Sequence, residues 1–143
     1  MGQRGVVGRY PSNQKKKKIF LLKKLISCFS LVHFHQLGQT DGTSVFARYN
    51  SIHKNFQRCL VIHDSNSIKV EYNVAYNITC SCFFLEDGSE INNEFHYNLG
   101  AKVYNIKSGD RQIIPSDTDS SVFWISNPKN YFTYNHASGG ELF

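Results

Sequence analysis

The chain has 143 residues, which is enough for one domain and little more. Its formal charge of +5 at pH 7 is of the sign found in nucleic-acid-binding proteins, but six of its sixteen basic residues are lysines in one short tract. Outside that tract ten basic residues oppose eleven acidic ones, a charge of −1, and no RNA- or DNA-binding motif is present. We therefore expect no nucleic-acid partner.

The Lys-rich tract runs from Ser12 to Leu31 and contains no acidic residue. A transmembrane helix needs roughly 20 predominantly apolar residues, whereas Lys23 and Lys24 divide the apolar part of this region into runs of four and eight. A signal peptide would begin nearer to Met1 and would carry a small-x-small cleavage site. A surface amphipathic helix would keep its lysines on one face, which the two Lys clusters do not do. We therefore do not expect the tract to span a membrane.

The chain after position 32 has the features of short β-strands. Ile68–Tyr72 alternates apolar and polar residues, and Leu60–Ile62 and Phe83–Leu85 are apolar runs bounded by turn residues. These segments are rich in β-branched and aromatic residues, and no window of 12 or more residues carries a clean helical stripe. This pattern predicts an all-β protein.

Four short blocks of the chain repeat one pattern, in which an apolar residue is followed three positions later by Asn. The steps between the Asn residues are 22, 21 and 37 residues, which is typical of a solenoid built from stacked coils. We predict a right-handed parallel β-helix of about four coils, and the alternative is an antiparallel sandwich with a coincidental spacing. The four blocks are Ile52–Asn55, Val74–Asn77, Phe95–Asn98 and Phe132–Asn135.

The recurring Asn suggests a buried ladder, because Asn tolerates left-handed backbone and its amide can bond to the Asn above and below. The predicted ladder residues are Asn55, Asn77, Asn98 and Asn135. Asn77 also begins the glycosylation sequon Asn77-Ile78-Thr79. Since a ladder residue points inward, we expect Asn77 to be unmodified. Neither end of the chain shows a cap for the solenoid, so we expect a middle portion of something longer.

The first candidate for chemistry is the pair His33 and His35. In a strand both side chains face the same side and Phe34 faces the other, and two imidazoles can bind a metal or act as acid and base. Glu86 and Asp87 precede Gly88 at the end of a predicted strand, where carboxylates can ligate calcium or hold a sugar hydroxyl. The plainer alternative is that these are ordinary surface or turn residues. For a metal, the candidate ligands are His33, His35 and Asp87.

Further candidates lie on the following coils. Arg58 can pair with a glycan carboxylate through two hydrogen bonds, with His53 and His63 nearby on the same coil. Trp124 is either a sugar-stacking platform or part of the core. Asp117 and Asp119 belong to the loop that lengthens the last repeat.

The cysteines give little information on redox compartment. Cys28 lies in the Lys-rich tract, and Cys80 and Cys82 are too close in a strand for a mutual disulfide. We expect Cys80, Cys82 and Cys59 to be buried thiols without a chemical role.

The two halves Gly8–Pro11 and Val32–His35 resemble one continuous motif of a known β-helix family. The family includes the cell-surface hyaluronidase (transmembrane protein 2), the cell migration-inducing and hyaluronan-binding protein, and fibrocystin-like proteins. Further collinear matches cover the chain to its end, among them Phe56–Cys59, Val61–Asn66, Cys82–Gly88, Asn98–Gly100, Phe123–Pro128 and Ala137–Gly140.

The resemblance implies three segments. Residues 1–11 begin the β-helix motif, residues 12–31 match nothing and are interpreted as a translated intron or gene-model error, and residues 32–143 are a partial β-helix. It also implies an extracellular or cell-surface location, with any membrane attachment in segments outside this sequence.

For function, the resemblance implies binding or depolymerisation of a glycosaminoglycan such as hyaluronan, with His33 or His35 and Glu86 or Asp87 as the acid/base pair. The implied cofactor is a divalent cation such as calcium. One departure stands against catalysis: the hyaluronan-degrading relatives have Gly-His where this chain has Cys80-Ser81. The expected role of the chain is therefore glycan-related but inactive, and the alternative is a non-catalytic, receptor-like ectodomain segment of the fibrocystin type.

Overall fold

The computed structural model describes residues 6–9, 31–107 and 118–140. Nearly all of the predicted Lys-rich insert therefore lies outside the described residues. The regular elements of the described chain are thirteen β-strands, namely β1 (Val6–Arg9), β2 (Val32–Gln39), β3 (Phe46–Arg48), β4 (Asn50–Asn55), β5 (Leu60–Asn66), β6 (Lys69–Glu71), β7 (Val74–Thr79), β8 (Phe83–Leu85), β9 (Glu94–His96), β10 (Leu99–Tyr104), β11 (Phe123–Trp124), β12 (Tyr131–Thr133) and β13 (His136–Ser138).

The strands form three sheets, and successive coils add one strand to each. The sheet orders are β2-β5-β8-β11, β3-β6-β9-β12 and β1-β4-β7-β10-β13. Apart from the pairing of β1, every strand pairing in the described chain is parallel, as in β2 with β5 and β4 with β7. This arrangement confirms the predicted parallel β-helix and rules out the antiparallel sandwich.

The strand β1 is the exception, since it pairs antiparallel with β4. It thereby covers the outer edge of β4, which would otherwise present unpaired backbone groups. We expected no cap at either end of the solenoid, whereas in this sheet β1 covers the edge of β4.

The core consists of apolar side chains stacked in register from coil to coil. Leu60 lies beside Phe83, which lies beside Phe123 in the next coil. The rings of Phe83 and Phe123 stack with centroids 4.9 Å apart. In another sheet Val70 lies beside Phe95. Short strands can form this core because each coil covers the apolar face of the coil below it.

A buried asparagine ladder is present, but two of its four members differ from the prediction. Asn50, Asn73, Asn98 and Asn135 form the ladder, with amide-to-carbonyl distances of 2.8, 2.9 and 2.9 Å between neighbours. Asn98 and Asn135 were predicted correctly. Each ladder Asn lies at the turn where a strand of the third sheet begins.

The assignments of Asn55 and Asn77 to the ladder are wrong. Asn55 is buried but its amide donates to the carbonyls of Gln57 and Arg58, at 2.9 and 2.8 Å, within its own turn. Asn77 lies inside β7 and is exposed, with a left-handed φ of 58°. The apolar-x-x-Asn pattern matched at these two positions by spacing alone, and the residue before the Asn does not exclude Asn77, because Tyr76 precedes it.

That preceding residue is tyrosine at all four ladder positions, and the tyrosines form a second, exposed row. Tyr49, Tyr72, Tyr97 and Tyr134 stack with centroids 5.2, 5.0 and 4.7 Å apart and nearly parallel rings. All four have φ between 54° and 56°. The left-handed backbone of these tyrosines distinguishes the ladder positions, since the pair Tyr76-Asn77 lies outside the ladder and Tyr76 has no positive φ.

Cys59 and Cys82 form a disulfide between adjacent coils, with Cα atoms 4.5 Å apart. The expectation that both are inert thiols is therefore wrong. The parallel register places Leu60 beside Phe83, so the residues that precede them are also neighbours. Cys80 is buried and lies outside this disulfide.

Candidate functional site

Three histidines meet on the outward face of the β2-β5-β8-β11 sheet. The register pairs His35 with His63 across β2 and β5, and His33 lies two residues before His35 on the same face. Phe34 packs against the core on the other face, as the alternation predicts. Ring centroids are separated by 5.0 Å for His33 and His35, and by 4.6 Å for His35 and His63.

The imidazole nitrogens of this cluster are arranged as a ligand set. One nitrogen from each of His33, His35 and His63 lies within 4.8 Å of the others. His33 Nε2 and His63 Nδ1 are buried atoms that have no hydrogen-bond partner among the described residues. Buried polar atoms are normally satisfied, so these two nitrogens are available to a metal ion, a proton or a ligand.

Two carboxylates border the histidines from the next coil. His33 Nε2 lies 3.4 Å from Glu86 Oε2, and His63 Nε2 lies 2.9 Å from Asp87 Oδ2. The amide of Glu86 donates to the carbonyl of Ile62, at 3.0 Å, which holds the end of β8 over β5. The predicted residues His33, His35, Glu86 and Asp87 are thus brought together, with His63 between them.

Glu90 supports this loop and was missed by the sequence reasoning. Its side chain is fully buried, and its Oε1 accepts hydrogen bonds from the amides of Asp64 and Asp87, at 3.2 and 3.1 Å. It therefore joins β5, at the residue after His63, to the turn that carries Asp87. No sequence motif predicted this role, because a single Glu in a polar loop is usually exposed to solvent.

The electrostatic environment keeps His33 neutral. Its pKa is lowered to about 4, chiefly by burial and then by electrostatic repulsion from His35, His63 and Arg58. A neutral imidazole is the form that ligates a metal or accepts a proton. His33 is therefore in the reactive form at neutral pH.

Arg58 and Trp124 lie next to the cluster but are placed differently from the sequence expectation. Arg58 is buried, and its guanidinium lies 4.2 Å from the ring centroid of Phe84. Trp124 stacks on the same Phe84 ring, with the two centroids 5.8 Å apart. Burial restricts access to the Arg58 guanidinium. Direct pairing of Arg58 with a glycan carboxylate therefore stays a prediction.

His53 is not part of the cluster. It lies on β4, in a different sheet, where it pairs in register with Tyr76. Ser81 occupies the position at which the family resemblance implies a histidine. It is buried, and its hydroxyl accepts a hydrogen bond from the amide of Ser121 at 3.2 Å.

A second group of possible ligands was not predicted from the sequence. Glu71, Glu94 and His96 place one ligand atom each within 4.8 Å of the others. Glu71 pairs with Arg48, however, and Glu94 pairs with Lys69 at 3.1 Å. These charges are therefore already neutralised by cations on neighbouring strands, as in a structural charge ladder.

Comparison with known proteins identifies the family. The CEMIP β-helix family model matches residues 24–143. The chain belongs to the CEMIP β-helix family. The family resemblance inferred from the sequence motifs is thereby confirmed, and the match to the CEMIP β-helix begins within the Lys-rich tract.

Three relatives of this CEMIP β-helix chain are 34% identical to it. They are Communication mutant protein F of Dictyostelium discoideum, over 98% of the chain, Fibrocystin-L of Homo sapiens, over 78%, and the human Cell migration-inducing and hyaluronan-binding protein, over 77%. The chain spans 12%, 2% and 10% of the length of these relatives. No solved structure matches the chain.

The described residues contain no helix with the length and apolar character needed to cross a membrane.

Proposed function

We propose that this chain supplies a glycosaminoglycan-binding face of an extracellular β-helix protein, and that the face works through a bound divalent metal ion. The observation that carries the proposal is the convergence of His33, His35 and His63 with Glu86 and Asp87 on one outward surface. One relative is named for hyaluronan binding. The Cys59–Cys82 disulfide supports an oxidising, extracellular compartment.

The donor set favours a zinc-class ion over the calcium expected from the sequence. Calcium takes six to eight oxygen ligands, whereas imidazole nitrogens suit zinc, copper and nickel. His33, His35 and His63 would supply three nitrogen ligands, with a carboxylate or water as the fourth. A metal ion with an open position can bind the carboxylate of a uronic acid, which is the charged group of hyaluronan.

We assign binding rather than cleavage to the chain. His33 Nε2 lies 3.4 Å from Glu86 Oε2, a distance that would suit an acid/base pair. Glycan hydrolysis, however, needs two groups that flank the scissile bond, and the family resemblance implies a histidine at the position that Ser81 occupies.

The alternative function is a receptor-like ectodomain segment whose coils display loops to protein partners. The buried Ser81 and the similarity to Fibrocystin-L favour it. In that case the histidine cluster binds a metal for structural reasons and hyaluronan does not bind.

Isothermal titration calorimetry on the 143-residue chain tests the proposal. Zinc is titrated first, and hyaluronan oligosaccharides are then titrated with and without a chelator. We expect His35→Ala and His63→Ala to lower zinc affinity at least about tenfold and to weaken hyaluronan binding in parallel. His53→Ala is the matched control, since His53 lies on another sheet.

Two results would contradict the proposal. If the chain binds no zinc, the metal centre is wrong. If zinc binds but hyaluronan does not, or binds equally well to the His35→Ala and His53→Ala variants, the receptor-like alternative is favoured.

A further inference from the structure

Asn77 lies at an outer corner of the solenoid. Its φ is 58°. The register pairs of Tyr76 and Ile78, on either side of it, align Asn77 with Lys54 and Lys102, whose φ values are 53° and 55°. All three side chains are exposed. Each coil therefore makes the same left-handed corner at this place and directs one side chain into solvent.

The residues that follow Asn77 complete a glycosylation acceptor in a favourable geometry. Ile78 is fully buried in the core, and the strand alternation then returns Thr79 to the outer face. Asn77 and Thr79 line one shallow, open depression together with Lys54 and Phe56. Asn77-Ile78-Thr79 is the single Asn-x-Ser/Thr sequon in the 143 residues.

We propose that Asn77 is the site of an N-linked glycan. In this reaction the side-chain nitrogen of Asn77 forms a bond to C1 of the first sugar of a lipid-diphosphate-linked oligosaccharide. The bond from C1 to the diphosphate oxygen breaks, the lipid diphosphate leaves, and the amide loses one proton. The disulfide between Cys59 and Cys82 supports folding in the oxidising compartment where this transfer takes place.

Conformation alone does not explain why Asn occupies this corner. Asn is favoured in left-handed backbone, but lysines occupy the equivalent positions of the coils on either side. The corner therefore accepts other residues. The glycan would also leave the histidine cluster open, because β7 and β5 belong to different sheets.

The test is to secrete the 143-residue chain from cultured animal cells behind a cleavable signal peptide and to measure its intact mass before and after treatment with peptide-N-glycosidase F. We expect the mass of one glycan, removed by the enzyme with conversion of Asn77 to aspartate. Asn77→Gln and Thr79→Ala should each abolish it, whereas Thr79→Ser should retain it. A secreted chain with the mass of the bare polypeptide overturns the proposal.

A transplanted sequon tests the corner geometry independently. Lys102 and Tyr104 are the register partners of Asn77 and Thr79 one coil later, and both are exposed. In the Asn77→Gln background, the double substitution Lys102→Asn and Tyr104→Thr should restore one glycan with the same melting temperature after deglycosylation. Secretion of this variant without a glycan would contradict the argument that the corner is an acceptor site.

Discussion

The side chain of Asn98 makes four hydrogen bonds that join three successive coils. Its carbonyl oxygen accepts from the amide and the side chain of Asn73, at 3.1 and 2.9 Å. Its side-chain nitrogen donates to the carbonyl of Val70 and to Asn135, both at 2.9 Å. Because the residue is buried, water cannot replace any of these partners if the side chain is removed.

We therefore expect Asn98→Ala to lower the free energy of unfolding by about 1–3 kcal/mol or more, since several buried groups lose their partners. Urea denaturation followed by circular dichroism measures this loss. Asn77→Gly is the matched control, because Asn77 is exposed and glycine accepts its left-handed backbone. Equal losses in the two variants would show that the ladder bonds add no stability.

At the scale of one strand, β10 packs closely against the residues that precede β11, with Gly100 next to Val122. Gly100 faces the core in register with Ala75 and, one coil further, with Ala137. A Cβ atom built on Gly100 would collide with the side chain of Val122. Glycine is required here by close packing, since no left-handed backbone is involved.

Gly100→Ala should therefore destabilise the fold by about 1–3 kcal/mol through overpacking. Thermal or urea unfolding measures the effect. Combining the substitution with Val122→Ala should restore part of the lost stability, because it removes the colliding methyl groups. Strictly additive losses in the double variant would contradict a direct contact between the two positions.

The Cys59–Cys82 disulfide acts at the same scale, since it joins the turns that precede β5 and β8. It closes a loop with a sequence separation of 23 residues, so its removal should cost about 3 kcal/mol. The paired variant Cys59→Ala with Cys82→Ala is compared with Cys80→Ala by urea unfolding with and without reductant. We expect reductant to destabilise the Cys80→Ala chain and to leave the paired variant unchanged. If reductant has no effect on either, the disulfide is absent.

At the scale of the whole molecule, each coil is stabilised by its neighbours, as in other solenoids. Residues 12–31 lie in the sequence between β1 and β2, which belong to different sheets. The interruption of one family motif at Pro11 and Val32 underlies the prediction that this tract is a translated intron. Its six lysines also account for the change in charge from +5 to −1.

Sequencing of the mature transcript tests the insert. We expect reads that join the codons of Pro11 and Val32 directly, and a recombinant chain lacking residues 12–31 should unfold at the same or a higher temperature than the full chain. Reads that retain the tract, together with a loss of stability on its deletion, would establish it as part of the protein.

The sequence by itself determined the β-helix, the family and the shared face of His33 and His35. These features depend on local alternation and on a spacing that repeats along the chain. Only the tertiary structure decided which asparagines form the ladder, that Cys59 bonds Cys82, and that His63 and Glu90 complete the histidine site. These contacts join residues about one coil apart, and the register between coils is fixed by packing of the core, which spacing alone does not specify.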